Sequence, residues 1–89
     1  MLSRRFMTYE IIFDDKAIDY LNTLEVHLRR RIYEKILSTA TNPFRYFIRL
    51  DGRADYKLRV GHYRVIADID QSTKRISVTL IGHRRNVYK

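Results

Sequence analysis

The chain has 89 residues, of which 45% are hydrophobic and 12% aromatic, which is enough for one compact core and too few for a second. It contains no cysteine, which excludes a disulfide framework, a thiolate metal site and a thiol nucleophile. No apolar run approaches the roughly 18 residues of a transmembrane helix, and no signal-peptide pattern follows Arg4 and Arg5. We therefore expect one cytoplasmic domain, residues 7–89, preceded by a short lead-in, residues 1–6.

The net charge of +8 is concentrated in the second half of the chain. Residues 1–44 carry seven Lys or Arg and six Asp or Glu, a balance of +1, whereas residues 45–89 carry eleven and four, a balance of +7. A one-sided positive field attracts polyanions and makes their binding dependent on salt. Nucleic acid is the leading expected partner, and an acidic protein segment is the alternative.

The first half of the sequence predicts one strand and two helices. β-branched and aromatic residues over 8–13 predict the strand, and an Asp-Asp pair then begins a helix over 14–24. A second helix, over 25–40, has an apolar stripe at helical spacing and ends before Asn42-Pro43, since proline disfavours helix in the residue before it. The three arginines at 29–31 fall mainly on its outer face, as a solvated surface or as a nucleic-acid contact.

The second half predicts a β-hairpin followed by a last strand. Two alternating runs, 56–60 and 63–69, flank Gly61-His62, and a Gly-X pair in this position is typical of a type II′ turn in which glycine takes a positive φ. Residues 44–50 form either the lead-in to a strand or an ordered loop, and 75–83 form the last strand. The whole predicts an α+β domain in which two antiparallel helices pack on a mostly antiparallel four-stranded sheet, in the order β-α-α-β-β-β.

One face of the hairpin carries three cations close together. The turn sets Arg59 directly opposite Arg64, with Lys57 two residues along the same strand. Like charges opposed at roughly 4.5–5.5 Å destabilise a sheet, so these side chains either splay into solvent or hold an anion such as phosphate. With Asp70 paired to Arg75, the last strand brings three more residues to this face or its edge: Ile81, opposite Arg64, then His83 and Arg84.

The usual catalytic and cofactor sites are missing from the sequence. His27, His62 and His83 are far apart and lack metal-ligand spacing, no Gly-rich loop opens a helix, and no serine lies in a nucleophile elbow. We expect neither a metal nor a cofactor. Lysine and arginine do suit RNA cleavage, because the 2′-hydroxyl of RNA is the nucleophile and the protein has to align it, stabilise charge on the phosphate and move two protons.

The cations of the hairpin divide between these tasks. Arg59 and Arg64 stay ionised and can bind phosphate oxygens in pairs. Lys57 is the candidate base, a role it can take if neighbouring cations disfavour its charged form. Arginine is a poor proton donor, so acid catalysis is the weakest part of this interpretation.

Three features together resemble the RelE/ParE toxin superfamily: the predicted order of elements, the hairpin at 56–65, and the ending at 81–88, which reads Ile-Gly-His-Arg-Arg-Asn-Val-Tyr. The similarity spans the chain from Met7, and the ending resembles the RelE branch. RelE-type toxins are cytoplasmic endoribonucleases that enter the ribosomal A site, cut mRNA to a 2′,3′-cyclic phosphate and a 5′-hydroxyl, and are held inactive by a RelB-type antitoxin. The resemblance implies a metal-independent mRNA interferase whose partners are the ribosome, mRNA and an antitoxin, with no membrane.

The resemblance also implies a role for each residue of the site. Lys57 and Arg59 match the two basic positions on the first hairpin strand, with Lys57 as the base. Arg64 matches the arginine that stabilises the transition-state phosphate, Arg84 the last-strand arginine implicated in charge stabilisation or proton donation, and Tyr88 the tyrosine that stacks on an mRNA base. The RNA contacts expected around them are Arg49, Arg53, His83 and Arg85.

The sequence departs from the RelE pattern at three positions, one of which is His83, which precedes Arg84 and either joins the proton chemistry or has a neutral surface role. Arg59 stands where many relatives have a second lysine, which leaves the base to Lys57, and Asp51 lies near a turn where some relatives have a basic residue. Two alternatives stay open: a ParE-like toxin that binds DNA gyrase and cuts no RNA, and an inactive relative that binds RNA or antitoxin. ParE-like relatives generally lack the full Lys, Arg and Tyr set. In each case we expect an antitoxin that masks the basic face, partly with acidic residues.

Overall fold

The computed structural model describes residues 8–87, so the expected lead-in and Tyr88 lie outside the described residues. The helices and strands follow one another as β1 (Glu10–Phe13), α1 (Asp15–Asn22), α2 (Val26–Ser38), β2 (Ile48–Arg49), β3 (Tyr56–Val60), β4 (Tyr63–Asp70) and β5 (Arg75–His83). Two short 3₁₀ turns, Thr39–Thr41 and Pro43–Arg45, connect α2 to β2. Neither helix in this part of the chain is long and apolar enough to cross a lipid bilayer.

The strands form one five-stranded sheet in the order β1-β5-β4-β3-β2. β1 runs parallel to β5, and all other neighbours are antiparallel. The predicted α+β class is confirmed, but the expected count of four strands is one too few. The additional strand is β2, in which Ile48 pairs with Lys57 and Arg49 with Tyr56. A ladder of two residues is too short to produce a recognisable alternation in the sequence.

Both helices bury an apolar stripe against one face of the sheet. Ala17 and Leu21 of α1 are buried, as are Ile32 and Ile36 of α2. The strands contribute Leu58, Val60, Val65, Ala67, Ile69, Ile76, Val78 and Ile81 to the same core. Because side chains alternate along a strand, the intervening residues of the hairpin lie on the face turned away from the helices.

The hairpin register predicted from the Gly61-His62 turn is confirmed. Arg59 pairs with Arg64, and the neighbouring pairs follow in the expected order. Gly61 has a φ of 60°, and His62 is not among the residues with positive φ. A type II′ turn requires this combination, whereas a type I′ turn needs positive φ at both positions.

A β-bulge interrupts the pairing of β4 with β5. Ala67 pairs with Val78, and Ile66 with Leu80, so Thr79 is an extra residue on β5. Its hydroxyl donates a hydrogen bond to the Ile66 carbonyl oxygen at 3.2 Å. One extra residue moves every later side chain of its strand to the other face of the sheet.

The bulge corrects the position expected for Ile81. The Asp70–Arg75 pair is present as predicted, and an uninterrupted ladder from that pair places Ile81 opposite Arg64. Instead, Gly82 lies opposite Arg64, and Ile81 is buried in the core. The residue beside Arg64 is therefore a glycine, which leaves room on that face.

Candidate active site

The cations of the hairpin lie together on the sheet face turned away from the helices. Arg59, Arg64 and Gly82 are cross-strand neighbours on β3, β4 and β5. Lys57 lies two residues along β3, in the next row, where it pairs with Ile66 of β4. The surface formed by Lys57, Arg59 and Arg64 is named the cationic face below.

Arg64 is buried, which the sequence did not predict. Only 7% of its surface is exposed, whereas Arg59 is exposed and Lys57 is half-buried. The Nη1 atom of Arg64 donates hydrogen bonds to the carbonyl oxygens of Gly61 and Tyr63, both at 2.9 Å. Two backbone carbonyls at the hairpin turn thus hold one guanidinium nitrogen in place, while Nε and Nη2, which bond to no acceptor within residues 8–87, can donate to a ligand.

No carboxylate within residues 8–87 forms an ion pair with this buried guanidinium. The ion pairs in that range belong to other arginines, at the surface: Arg53–Asp55 and Arg75–Glu10. Arg64 instead has Arg59 as its partner across the ladder. A buried charge without a counter-charge is costly. An anion held between the two guanidinium groups would relieve that cost.

The end of β5 closes onto the hairpin turn. His83 pairs with Tyr63, and the backbone N–H of Arg84 donates to the His62 carbonyl oxygen at 2.8 Å. The rings of His62 and His83 stack with centroids 6.1 Å apart, although the sequence separates these residues widely. Among residues 8–87, no cluster of three or more His, Asp or Glu side chains is arranged to hold a metal ion.

Positively charged side chains surround His83 at the end of β5. Partial desolvation first, and then the positive charges of its neighbours, lower the pKa of the His83 imidazole. Those neighbours are Arg85, His62, Arg84 and Arg64. The Nδ1 atom of His83 accepts a hydrogen bond from the backbone N–H of Arg85 at 3.2 Å, so the neutral ring carries its proton on Nε2.

The lowered pKa of His83 makes the stability of the fold depend on pH. The unfolded chain protonates this residue below about pH 6.5, and the folded chain does so only at lower pH. The stability that neutral His83 contributes is therefore complete above about pH 6.5 and is lost as the pH falls through the folded value. We expect the urea midpoint to fall between about pH 7 and pH 5 in the wild-type protein, and to fall less in His83→Gln.

The matched control for that measurement is His27→Gln, which removes a histidine of α2 rather than one at the end of β5. It should retain the pH dependence of the wild-type protein. If His83→Gln loses stability over this range as steeply as the wild-type protein does, other groups cause the dependence.

The other predicted RNA contacts lie on two sides of the cationic face. Arg84 and Arg85 are exposed on the turn that follows β5, on the Arg64 side. Arg49 and Arg53 are exposed near β2, where the Arg49 Nε atom donates to the Arg53 carbonyl oxygen at 3.3 Å. Both line an open groove together with Lys57. The role of Tyr88 stays a prediction, because that residue lies outside the described range.

Helix α2 adds cations that sequence reasoning did not connect with the hairpin. Arg30, Arg31 and Lys35 line an open groove with Arg59 between α2 and the hairpin turn. The Arg31 Nη2 atom lies 3.3 Å from the point that a Cβ on Gly61 would occupy. No signal in the sequence joins these two segments, because their contact depends on how α2 packs over the sheet.

Comparison with known proteins places the chain in a family. The model of the family described as the ParE toxin of type II toxin–antitoxin systems, parDE, matches residues 11–88. The chain belongs to the RelE/ParE toxin superfamily. The superfamily resemblance carried by the hairpin and the ending of the sequence is thereby confirmed.

Solved structures of RelE toxins share the fold of this superfamily member. A chain of the toxin–antitoxin complex RelBE2 from Mycobacterium tuberculosis is 21% identical in sequence and superposes with a TM-score of 0.77. The match covers 89% of the present chain and 94% of the mycobacterial chain. The RelE–RelB complex from Pyrococcus horikoshii is 24% identical with a TM-score of 0.76, over 90% and 99%. The intact Escherichia coli RelBE complex is 20% identical with a TM-score of 0.71, over 84% and 95%. No curated protein sequence matches the chain significantly.

Proposed function

We propose that this toxin is a ribosome-dependent endoribonuclease that cuts mRNA in the ribosomal A site. The observation that carries the proposal is the buried Arg64, which has no carboxylate ion pair within residues 8–87 and lies opposite Arg59. Such a pair of guanidinium groups is suited to a phosphate that gains negative charge during reaction. The net charge of +8 supports binding to ribosomal RNA around the site.

The proposed reaction uses the nucleophile that RNA itself supplies. Lys57 accepts the proton of the 2′-hydroxyl, whose oxygen forms a bond to the adjacent phosphorus while the bond to the 5′-oxygen breaks. The products are a 2′,3′-cyclic phosphate and a 5′-hydroxyl, whose oxygen takes up one proton from solvent in exchange for the proton that Lys57 accepts. No water is consumed, and neither a metal nor a cofactor is assigned to the step.

Three arginines surround the phosphate in this proposal. Arg64, held at Nη1 by the turn carbonyls, presents its remaining donors to the phosphate oxygens, and Arg59 approaches from the neighbouring strand. Arg84 is assigned to charge stabilisation near the leaving oxygen, because a guanidinium is a poor proton donor. The exposed Arg49, Arg53 and Arg85, together with His83, are assigned to the flanking RNA, and Tyr88 to stacking on a base.

The proposed protein partner is a RelB-type antitoxin. The mycobacterial, archaeal and E. coli structures that share this fold are toxin–antitoxin complexes. An antitoxin segment with acidic residues would neutralise the cationic face and relieve the repulsion between Arg59 and Arg64. Because ribosomes are the site of action, the toxin is assigned to the cytoplasm.

The test is a translation reaction with purified toxin, followed by primer extension on the mRNA. We expect cuts within the translated region when ribosomes are present and none in a ribosome-free control. Addition of a RelB-type antitoxin should suppress the cuts. Intact mRNA with a correctly folded toxin would contradict the proposal. Equal cutting without ribosomes would show that the cleavage does not depend on the ribosome.

The second candidate function is inhibition of DNA gyrase by a ParE-like toxin. The observation that favours it is the family model that matches the chain, which is described as the ParE toxin. A supercoiling assay with gyrase distinguishes the two candidates. Inhibition of supercoiling together with intact mRNA would support the ParE-like function and reject the interferase.

A further inference from the structure

The turn after β5 folds back onto the sheet next to Arg64. The backbone N–H groups of Asn86 and Val87 both donate to the His83 carbonyl oxygen, at 2.8 and 3.2 Å. Val87 is buried, with 9% of its surface exposed, yet it does not belong to the core that the helices form with the sheet. Its burial therefore has to come from another contact.

Val87 packs on Gly82. A Cβ on Gly82 would lie 2.9 Å from the Cγ2 atom of Val87, which is closer than non-bonded carbon atoms approach. Gly82 is not among the glycines with positive φ, which are Gly52 and Gly61, so its backbone conformation does not require glycine. The close contact with Val87 does require glycine, since glycine within a strand often marks the close approach of another segment.

The position of this contact connects it with the site. Gly82 is the cross-strand neighbour of Arg64, and the turn that Val87 closes also contains Arg84, whose N–H binds the His62 carbonyl oxygen. Without Val87 on Gly82, residues 84–87 would keep only hydrogen bonds from their backbone N–H groups among the contacts described here, to the His62 and His83 carbonyl oxygens and to His83 Nδ1. So short a segment does not keep one conformation without packing.

We propose that Val87 and Gly82 form a positioning contact, which seats residues 84–87 against the Arg59–Arg64 row. Neither residue touches the RNA in this proposal. They act through Arg84, which the turn carries to the edge of the cationic face. The proposal rests on the proposed mRNA cleavage, and it adds two residues for which the resemblance supplied no role.

Four proteins test the contact: the wild-type toxin, Gly82→Ala, Val87→Ala, and the double variant. In Gly82→Ala the new methyl group displaces Val87, so the cleavage rate at saturating toxin should fall about 10- to 100-fold, as misplacement by about 1 Å can cause. The cleavage rate should fall less in Val87→Ala, because the turn keeps its hydrogen bonds. The double variant should recover most of the loss of Gly82→Ala, because removal of Cγ2 makes room for the added methyl group.

Two further measurements distinguish a misplaced turn from a general loss of RNA binding or structure. The toxin concentration that gives half the maximal rate should change little, since Arg84 stays on the chain and RNA binding is retained. In toxin with labelled valine, a nuclear Overhauser effect between the Val87 methyl groups and the Gly82 α-protons should be present, and it should be lost in Gly82→Ala. Val26→Ala, at an exposed valine that begins α2, is the matched truncation and should behave like the wild-type toxin.

The outcomes are distinct. A wild-type cleavage rate in Gly82→Ala, with the Overhauser effect lost, overturns the positioning role and leaves the proposed function intact. A double variant as slow as Gly82→Ala also overturns it, because the damage is then unrelated to the contact. If Gly82→Ala does not fold, a wild-type rate in Val87→Ala overturns the role. A wild-type toxin that shows the Overhauser effect but cuts no mRNA overturns the proposed function and, with it, the positioning role.

Discussion

Arg64→Met is expected to lower the rate of mRNA cleavage on the ribosome by about 10²–10³-fold, the loss typical when one preorganised donor to a developing charge is removed. Arg64 is 7% exposed and is held by the carbonyl oxygens of Gly61 and Tyr63. Its geometry is therefore set before RNA binds.

The stability of Arg64→Met should stay close to that of the wild-type protein. Methionine fills the space of the apolar stem, and removal of a buried charge opposite Arg59 relieves a repulsion. The loss of two hydrogen bonds to carbonyl oxygens acts in the other direction. Urea unfolding measures the sum of these effects, and primer extension measures the rate.

Two further variants sharpen this test. Arg64→Lys keeps the charge but replaces the fork of donors with one ammonium, which cannot bind the turn carbonyls and two phosphate oxygens together, so it should be nearly as slow. Arg75→Met, at a surface arginine paired with Glu10, should cut at the wild-type rate. Full activity in Arg64→Met would remove Arg64 from the site, and marked unfolding would show that its role is structural.

The hairpin shows what could be predicted from the sequence. A Gly-X turn specifies which residues face each other, so the Arg59–Arg64 pair followed from counting along two strands and is present in the structure. The charges that make this face unusual are also visible in the sequence, because cross-strand distances do not depend on the rest of the fold. Local rules were sufficient for the centre of the site.

The burial of Arg64 could not be predicted in the same way. Burial is set by the neighbours that the whole fold places around a side chain, and one of these could not be foreseen, since the bulge at Thr79 brings Gly82 rather than Ile81 beside Arg64. The alternation of residues in a strand does not indicate where an extra residue is inserted. The hydrogen bond from the Thr79 hydroxyl to the Ile66 carbonyl oxygen is a tertiary contact, which the sequence does not show. Without the bulge, Arg64 would lie next to an isoleucine.

The contacts that surround the centre were missed for a related reason. His62 and His83 meet only because β4 pairs with β5, and Arg31 reaches Gly61 only because α2 packs over the hairpin. Long-range strand pairing and helix packing produce no regular spacing of residues from which they could be predicted. The sequence therefore predicts which residues are charged, whereas the fold decides which of them are held rigidly and which stay exposed.

Lys57 carries the second large prediction, because its proposed role as base needs more than its charge. Lys57→Arg keeps a positive side chain on β3, in the row where residue 57 pairs with Ile66, but a guanidinium stays protonated and cannot take the 2′-hydroxyl proton. We expect Lys57→Arg and Lys57→Met to lower the cleavage rate alike, by about 10²–10⁴-fold, the usual contribution of general acid–base catalysis.

The comparison between these two variants decides the role of Lys57. Rates measured at saturating toxin separate catalysis from ribosome binding, and binding should weaken only in Lys57→Met, which loses a charge. Lys16→Met, at an exposed lysine of α1, controls for the loss of one charge on a helix that packs on the other face of the sheet. If Lys57→Arg cuts nearly as fast as the wild-type toxin, Lys57 contributes charge alone. The base must then be sought elsewhere.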